Sequence, residues 1–400
     1  MTHQLPPEVR ALTEDDIYRT SSQFRVWSFS PESLAELRAK THQIAVERIE
    51  RQRRQGGDGA SNGAGQDGEK LEYLTEEEEL RLVQRYCDMI RATNDHLNWP
   101  ANVKVRDLPY CKDYRRLTHS PFKKATAIQY LRRFYLSNSP LTYPPKEIYK
   151  TALYLANKAE SNGWAVSAYA HRISAKPEEI LASEYKVMQA LRFTLDVRQP
   201  NRGLKGVMME LDNLVEGRPD AQLKAEMEAL EPPGEDAKSS WRPGSGVRER
   251  VQLAYTAARA MLDSPALLTD AYFLFTPSQI VFASLQIADP PLAEWYLSKK
   301  LPTASPVRPK VLATLRSCAE MLSGFSVENV LTKDERAALE TKLEKCRDPS
   351  TKDLVKSHMA KQRGEGADDE AKAAKKKLQR EQSMKEGDDL FGPSIGNGAK

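Results

Sequence analysis

The spacing of apolar residues is helical along most of the chain. Leu34, Leu37, Ile44 and Ile49 are spread through a strongly charged segment that opens at Ser30-Pro31-Glu32. Ser30 suits an N-cap, Pro31 the first helical position, and Glu32 the positive end of the helix dipole. The pattern predicts a long, largely exposed helix over 31–55. Thr75-x-x-Glu78 is a capping box, after which Leu80, Val83, Cys87 and Ile90 share one helical face. Further helices are predicted near 121–137, 145–158, 165–173 and 177–192, with 101–120 an inserted loop. Lys333 to Cys346 carries Leu339 and Leu343 amid dense charge, which predicts a solvent-facing amphipathic helix. The alternation of a half-buried strand is hard to find anywhere. The fold class is therefore all-α.

An internal repeat organises these helices. Pro145, Ile148, Ala152, Leu153, Leu155 and Ala156 align with Pro277, Ile280, Ser284, Leu285, Ile287 and Ala288 at an offset of 132 residues. Phe193 and Phe325 keep the same offset. This predicts two tandem bundles of about five helices, over 71–198 and 199–325, the second interrupted by a Pro/Gly/charged insertion at 216–246. An N-terminal segment (1–55), a glycine-rich linker (56–70), a C-terminal helix region (326–360) and a charged tail (361–400) complete the map. The tail is poor in apolar residues and reads as disordered.

Composition removes several function classes. Lys+Arg is 60 and Asp+Glu 56, a net charge of +4. That balance gives no electrostatic footprint for direct nucleic-acid binding. No apolar run reaches the ~18–20 residues of a membrane span, and Met1 to Pro7 lacks the pattern of a signal peptide. Cys87, Cys111, Cys318 and Cys346 are far apart and form no Cys-x-x-Cys, which reads as reduced thiols. Six glycines fall between 56 and 68, and Gly63 to Gly68 formally matches G-x-G-x-x-G. That motif needs a strand before it and a helix after it; here it sits in a linker. The six scattered histidines form no His-x-x-x-His pair, and no P-loop or nucleophile-elbow motif occurs. No catalytic residue, metal site or cofactor is expected. Lys375-Lys376-Lys377 reads equally as a nuclear-import patch or a solvated tail.

What stands out instead is charge in an awkward place. The apolar helix at 145–158 ends in Asn157-Lys158-Ala159-Glu160, and Glu184 interrupts the stripe Ile180, Val187, Met188, Leu191. Periodicity leaves two readings of Glu184. One is a helix-edge carboxylate with its head in water. The other is a Lys/Glu pair at a partner interface, where charge sets specificity and register.

Several stretches resemble the cyclins, and within them the cyclin H group. These are Tyr18 to Gln23 with Trp27-Ser28-Phe29-Ser30, then Arg133-Phe134-Tyr135-Leu136-Ser137-Asn138-Ser139, Leu268 to Ile280, and Leu343-Glu344-Lys345-Cys346. The resemblance spans roughly 17–350 outside the insertions, which look like a fungal-type version. It implies two cyclin boxes and a regulatory, non-catalytic subunit. Such a subunit binds and activates the cyclin-dependent kinase of TFIIH, beside a RING-finger assembly subunit, with the TFIIH core an indirect partner and the nucleus the location. It supports phosphorylation of the RNA polymerase II C-terminal repeats and of other kinases' activation loops. The family's kinase-contacting Lys and Glu fall on Lys158 and Glu184, with Met188, Phe193 and Leu195 packing beside them. Only Glu160 matches the acidic residues that usually follow the Lys. Tyr18 and Trp27 are candidate N-terminal kinase contacts, and Ser21 and Ser22 beside Arg19 are candidate phosphorylation sites. The repeat puts Pro290 opposite Lys158, which implies a one-sided kinase surface. The Met-Arg-Ala-Ile-Leu stripe that cell-cycle cyclins use to dock substrates is absent. The rival readings are another transcriptional cyclin with a different kinase, a TFIIB-like two-repeat factor, for which the Cys-x-x-Cys pairs are missing, and an enzyme, which predicts turnover by the purified chain.

Overall fold

The computed structural model describes residues 14–57, 72–96, 121–160, 163–218 and 220–360. The 101–120 loop, most of the 56–70 linker and the 361–400 tail with its lysine run lie outside the described residues. No strand occurs among the described residues. Local sequence sets most helix limits. Ser30 Oγ accepts from the Ser33 N–H at 3.2 Å and opens α3 (Pro31–Gly57). The predicted box opens α4 (Glu76–His96), with Glu78 N–H to Thr75 Oγ1 at 3.2 Å and Thr75 N–H to Glu78 Oε2 at 2.9 Å. Proline starts α5 (Pro121–Phe134), α6 (Pro145–Ala159) and α8 (Pro177–Ala190); α7 (Val166–Arg172) lies between the last two.

The second group follows with α9 (Pro200–Val215), α10 (Ala221–Glu228), α11 (Val247–Asp263), α12 (Pro265–Leu268), α13 (Ala271–Leu274), α14 (Pro277–Ala288), α15 (Pro290–Lys300) and α16 (Arg308–Ser323). The aligned positions of the repeat, Ile148 with Ile280, Ala152 with Ser284, Leu153 with Leu285 and Ala156 with Ala288, are all buried. α6 is the packed centre of the first group, against α4, α5 and α8. α14 is the centre of the second, against α9, α11, α15 and α16. Burying each Ile or Leu there stabilises the fold by about 1.5–3 kcal/mol.

Two terminal pieces brace this arrangement. Periodicity misses the short helices α1 (Glu14–Thr20) and α2 (Ser22–Trp27). The segment they start joins both groups: Trp27, Leu34, Leu136 and Phe273 form one buried cluster, and Phe29 N–H donates to the Phe273 carbonyl at 2.8 Å. α17 (Lys333–Cys346) packs on α4, with Lys342 Nζ 3.0 Å from Glu78 Oε2. It also meets α3, where Arg53 donates to the Lys345 carbonyl at 3.2 Å. The residues just after it are tied in by Arg48–Asp348 at 3.0 Å and Arg347–Glu147 at 3.0 Å.

Not every apolar position of α3 and α4 is buried. Ile44 and Leu80 are exposed, because α3 buries Leu34, Ala45 and Ile49 and α4 buries Leu82, Val83, Tyr86, Cys87 and Ile90. The insertion at 216–246 is not a loose linker. Pro290 and Pro291 have no N–H to continue the helix ladder, so α14 stops at Ala288 with free carbonyls. Lys238 and Ser239 donate their backbone N–H groups to the Ile287 and Ala288 carbonyls, each at 3.0 Å. Buried Arg250 then holds the segment, donating to the Leu230 and Glu231 carbonyls at 3.1 and 2.8 Å and pairing with buried Asp289 at 2.7 Å. The Trp241 ring lies 5.0 Å from its guanidinium carbon.

Candidate functional site

α6 and α8 pack side by side, and polar links fix their register. Thr151 Oγ1 donates to the Ile180 carbonyl at 2.9 Å, and Lys150 Nζ sits 3.1 Å from Glu179. One end of this seam brings Lys158 Nζ to 2.6 Å from Glu184 Oε1. The Lys158 side chain is 47% exposed and that of Glu184 20%, so the pair sits at a rim, accessible to a partner. Lys158 suits the carbonyl end of α6 and lies 5.5 Å from the Tyr154 ring. A pair this wet contributes at most about 1 kcal/mol to folding.

Beside it stand two aromatic residues that water should disfavour. Tyr185 is 64% and Phe193 59% exposed, with ring centroids 6.4 Å apart. Phe193 is held out by strain. Arg192 and Phe193 have φ of 51° and 56°, in the left-handed region that costs a side-chain-bearing residue about 1–2 kcal/mol. The turn closes α8 through Phe193 N–H to the Met188 carbonyl at 3.0 Å. Met188 and Leu195 are partly exposed on either side of Phe193 in sequence.

The strain is sustained by groups behind the turn. Trp27 Nε1 donates to Thr194 Oγ1 at 2.9 Å, and Tyr130 donates to the Leu195 carbonyl at 2.6 Å. Arg133 reaches the Thr194 and Asp196 carbonyls at 3.4 and 3.3 Å, lies 5.0 Å from the Trp27 ring and also bonds Gln23. Burial pulls the Arg133 guanidinium down to about 10, which leaves it charged at neutral pH.

Some expected site residues are elsewhere. Trp27 is 2% exposed, so it braces the turn from inside and offers no outward contact. Ser21 is buried as the cap of α2: its hydroxyl donates to the Tyr18 carbonyl at 2.6 Å and accepts from the Phe24 N–H. That leaves it inaccessible to a kinase, whereas Ser22 and Tyr18 are partly exposed. Glu160 is bound from within, since Thr126 Oγ1 donates to it at 2.7 Å and itself accepts from Gln199 Nε2 at 2.8 Å. Tyr185 and the bracing pair Tyr130 and Arg133 were missed. The available signal was an aromatic next to Glu184 on the exposed side of α8.

No group of His, Cys, Asp and Glu among the described residues could hold a metal ion. Burial pushes the Cys87 and Cys318 thiols up to about 12, so neither is a nucleophile. No helix among the described residues is long and apolar enough to cross a membrane.

Comparison with known proteins follows the same outline. The family model "Cyclin C-terminal domain" matches residues 199–323. "Cyclin CCL1" of Saccharomyces cerevisiae is 30% identical over 302 residues, covering 74% of this chain and 64% of the relative. A chain in the structure of the CAK complex from Chaetomium thermophilum bound to ATP-gamma-S is 34% identical, with TM-score 0.68, over 88% of this chain and 95% of that one. The chain belongs to the cyclin family. A second solved chain, from the yeast TFIIK (Kin28/Ccl1/Tfb3) complex, is 26% identical with TM-score 0.50, over 76% of this cyclin and 100% of that chain.

Proposed function

We propose that this cyclin is the regulatory subunit of a TFIIH-type, CDK-activating kinase. It binds the kinase through the Lys158–Glu184 rim and the Tyr185–Phe193 shelf, with Met188 and Leu195 alongside. It performs no catalysis itself. It acts in the nucleus with a RING-finger assembly subunit, and through that trimer with the TFIIH core. The kinase it serves phosphorylates the RNA polymerase II C-terminal repeats and other kinases' activation loops. The first helix group (71–198) forms the kinase-binding box and the second (199–325) a companion box.

The observation that carries this reading is the strained, exposed Phe193 beside an accessible ion pair on a rigid helix pair. A kinase fires when its αC helix is held so that the αC Glu meets the β3 Lys. A surface that binds only that arrangement shifts the population toward it. Moving it from 1:99 to 99:1 needs about 5.5 kcal/mol of differential binding. An exposed ion pair supplies at most about 1 kcal/mol. Two aromatic rings buried on docking supply most of the rest and make the natural hot spot, while the charges set register. The similarity to chains from CAK and TFIIK assemblies supports the choice of kinase.

Affinity purification of the chain from its own cells tests this directly. A cyclin-dependent kinase and a RING-finger protein should co-purify in near-equal amounts, and the chain alone should transfer no phosphate. Recovery without a kinase would refute the proposal.

A further inference from the structure

Five Ser/Thr-Pro steps fall among the described residues, at Ser30, Ser139, Ser264, Thr276 and Ser305. Four have their hydroxyls committed or enclosed. Ser30 caps α3, with a serine three places on. Ser139 is buried and donates to Glu79 at 2.7 Å. The Ser264 hydroxyl is buried. Thr276 caps α14, accepting from the Gln279 N–H. Ser305 differs on each count. It lies in the turn between α15 and α16, partly exposed between exposed Ala304 and Pro306, with no hydrogen bond to its hydroxyl. Arg308 follows three places on, giving Ser305-Pro306-Val307-Arg308.

The first turn of α16 lacks negative charge. α16 begins without a side-chain cap, since its N-cap is Val307, and its first turn carries Arg308 and Lys310 and no acid. That is the wrong sign for the positive end of a helix dipole. Lys299 and Lys300, which end α15 just before the turn, already pair with Glu226 and Glu210, each at 2.5 Å, so the unbalanced charge is that of Arg308 and Lys310. The turn is held only by local bonds, such as Ser305 N–H to the Pro302 carbonyl and Arg308 N–H to the Ser305 carbonyl. It can open into the extended form that a kinase cleft takes.

We infer that Ser305 is a phosphorylation site for a proline-directed Ser/Thr kinase. Proline after the acceptor brings no N–H, so it suits a cleft offering no acceptor there, where any other residue would bury an unpaired donor. ATP is the donor. Ser305 Oγ bonds to the γ-phosphorus as the bond to the β-bridging oxygen breaks; the hydroxyl proton goes to the kinase's catalytic carboxylate, and ADP leaves. The product carries about −1.5 to −2 of charge. It cancels the excess positive charge at the start of α16 and fixes the 301–310 stretch.

The test treats the full purified chain with ATP and a proline-directed kinase, and maps phosphate over 301–310 by mass spectrometry. The same stretch is mapped in chain isolated from its own cells. Phosphate is expected on Ser305 in both, absent from Ser305→Ala, and at least about tenfold lower on Pro306→Ala. Amide exchange over 308–312 should slow severalfold in the phosphorylated form. Both variants are surface changes, and an unchanged Tm shows that they fold. A bare Ser305 in either preparation, labelling indifferent to Pro306→Ala, or unchanged exchange would each overturn the inference.

Discussion

At Phe193 the chain spends folding stability on an outward-facing ring. Its φ of 56° is relieved by glycine, and its ring has little to lose on the exposed side. Phe193→Gly should therefore raise Tm by a few degrees while weakening kinase binding at least about tenfold. Calorimetry and a binding titration on the same preparation check this, and a loss of both would mean the ring is structural. Trp27→Ala tests the brace. Truncating a buried Trp costs about 3–5 kcal/mol in a denaturant titration. Amides at 191–196 should exchange faster than those of α14, because the Trp27 indole bonds Thr194. Lys158 and Glu184 do pair, as one of the two readings that periodicity left open for Glu184 expected, and only the resemblance favoured that reading. The role of Trp27 was not legible. Its partners, Thr194 and Arg133, are more than 100 residues away in sequence, and nothing in the local pattern says which way an aromatic at a short helix's end will point.

Among the elements, helix ends were the most readable feature, because caps and prolines act within four residues. The Thr75 box and the Lys333–Cys346 helix stand where local chemistry puts them. Helix faces were less readable. α4 is covered from several sides, by α5, α6 and α17, so its buried arc is set by neighbours and Leu80 falls outside it. The Pro, Gly and charged composition of 216–246 predicts only an interruption of the second bundle. The deciding residue, Arg250, lies beyond it and collects two of its carbonyls. In the aligned repeat, the Ile287–Ala288 end that this segment covers corresponds to Leu155–Ala156, beside Lys158. The chain thus closes on its second group a place that stays open on the first. Arg250→Met leaves Asp289 charged and buried, so a loss of about 3–5 kcal/mol is expected in a denaturant titration. Proteolysis should then cut first at 229–246; equal protection in both proteins would contradict the strap.

Across the whole molecule, the near-neutral balance of charge hides a few decisive ion pairs. Asp270 joins three pieces: Arg38 of α3 bonds its two carboxylate oxygens at 2.8 and 2.6 Å, and Arg132 of α5 pairs with it beside the second group. Burial pushes its carboxyl upward, but the two guanidiniums prevail and hold it down at about 2. A depressed carboxylate stabilises the fold above the unfolded value near 3.9, and that contribution fades as pH falls through about 2. Asp270→Asn should cost about 2 kcal/mol at pH 7, from the size of the shift with an allowance for partial exposure. The gap should narrow steadily below about pH 4, and a gap independent of pH would deny the ion pairs their role. The tandem all-α plan was legible because the 132-residue offset repeats a buried helix face. How the N-terminal segment bridges the two groups was not, because Phe29 and Phe273 meet only in three dimensions.

The central claim is that the rim of α6 and α8 switches on a kinase. It is tested most directly by the activity of the co-purified kinase, stripped of cyclin and reconstituted with wild-type chain or with Lys158→Ala/Glu184→Ala. The double variant should keep its circular dichroism and lose less than about 1 kcal/mol of stability. Its half-maximal stimulation should require about fivefold more protein, the equivalent of about 1 kcal/mol. Undiminished stimulation by a folded double variant would contradict the account.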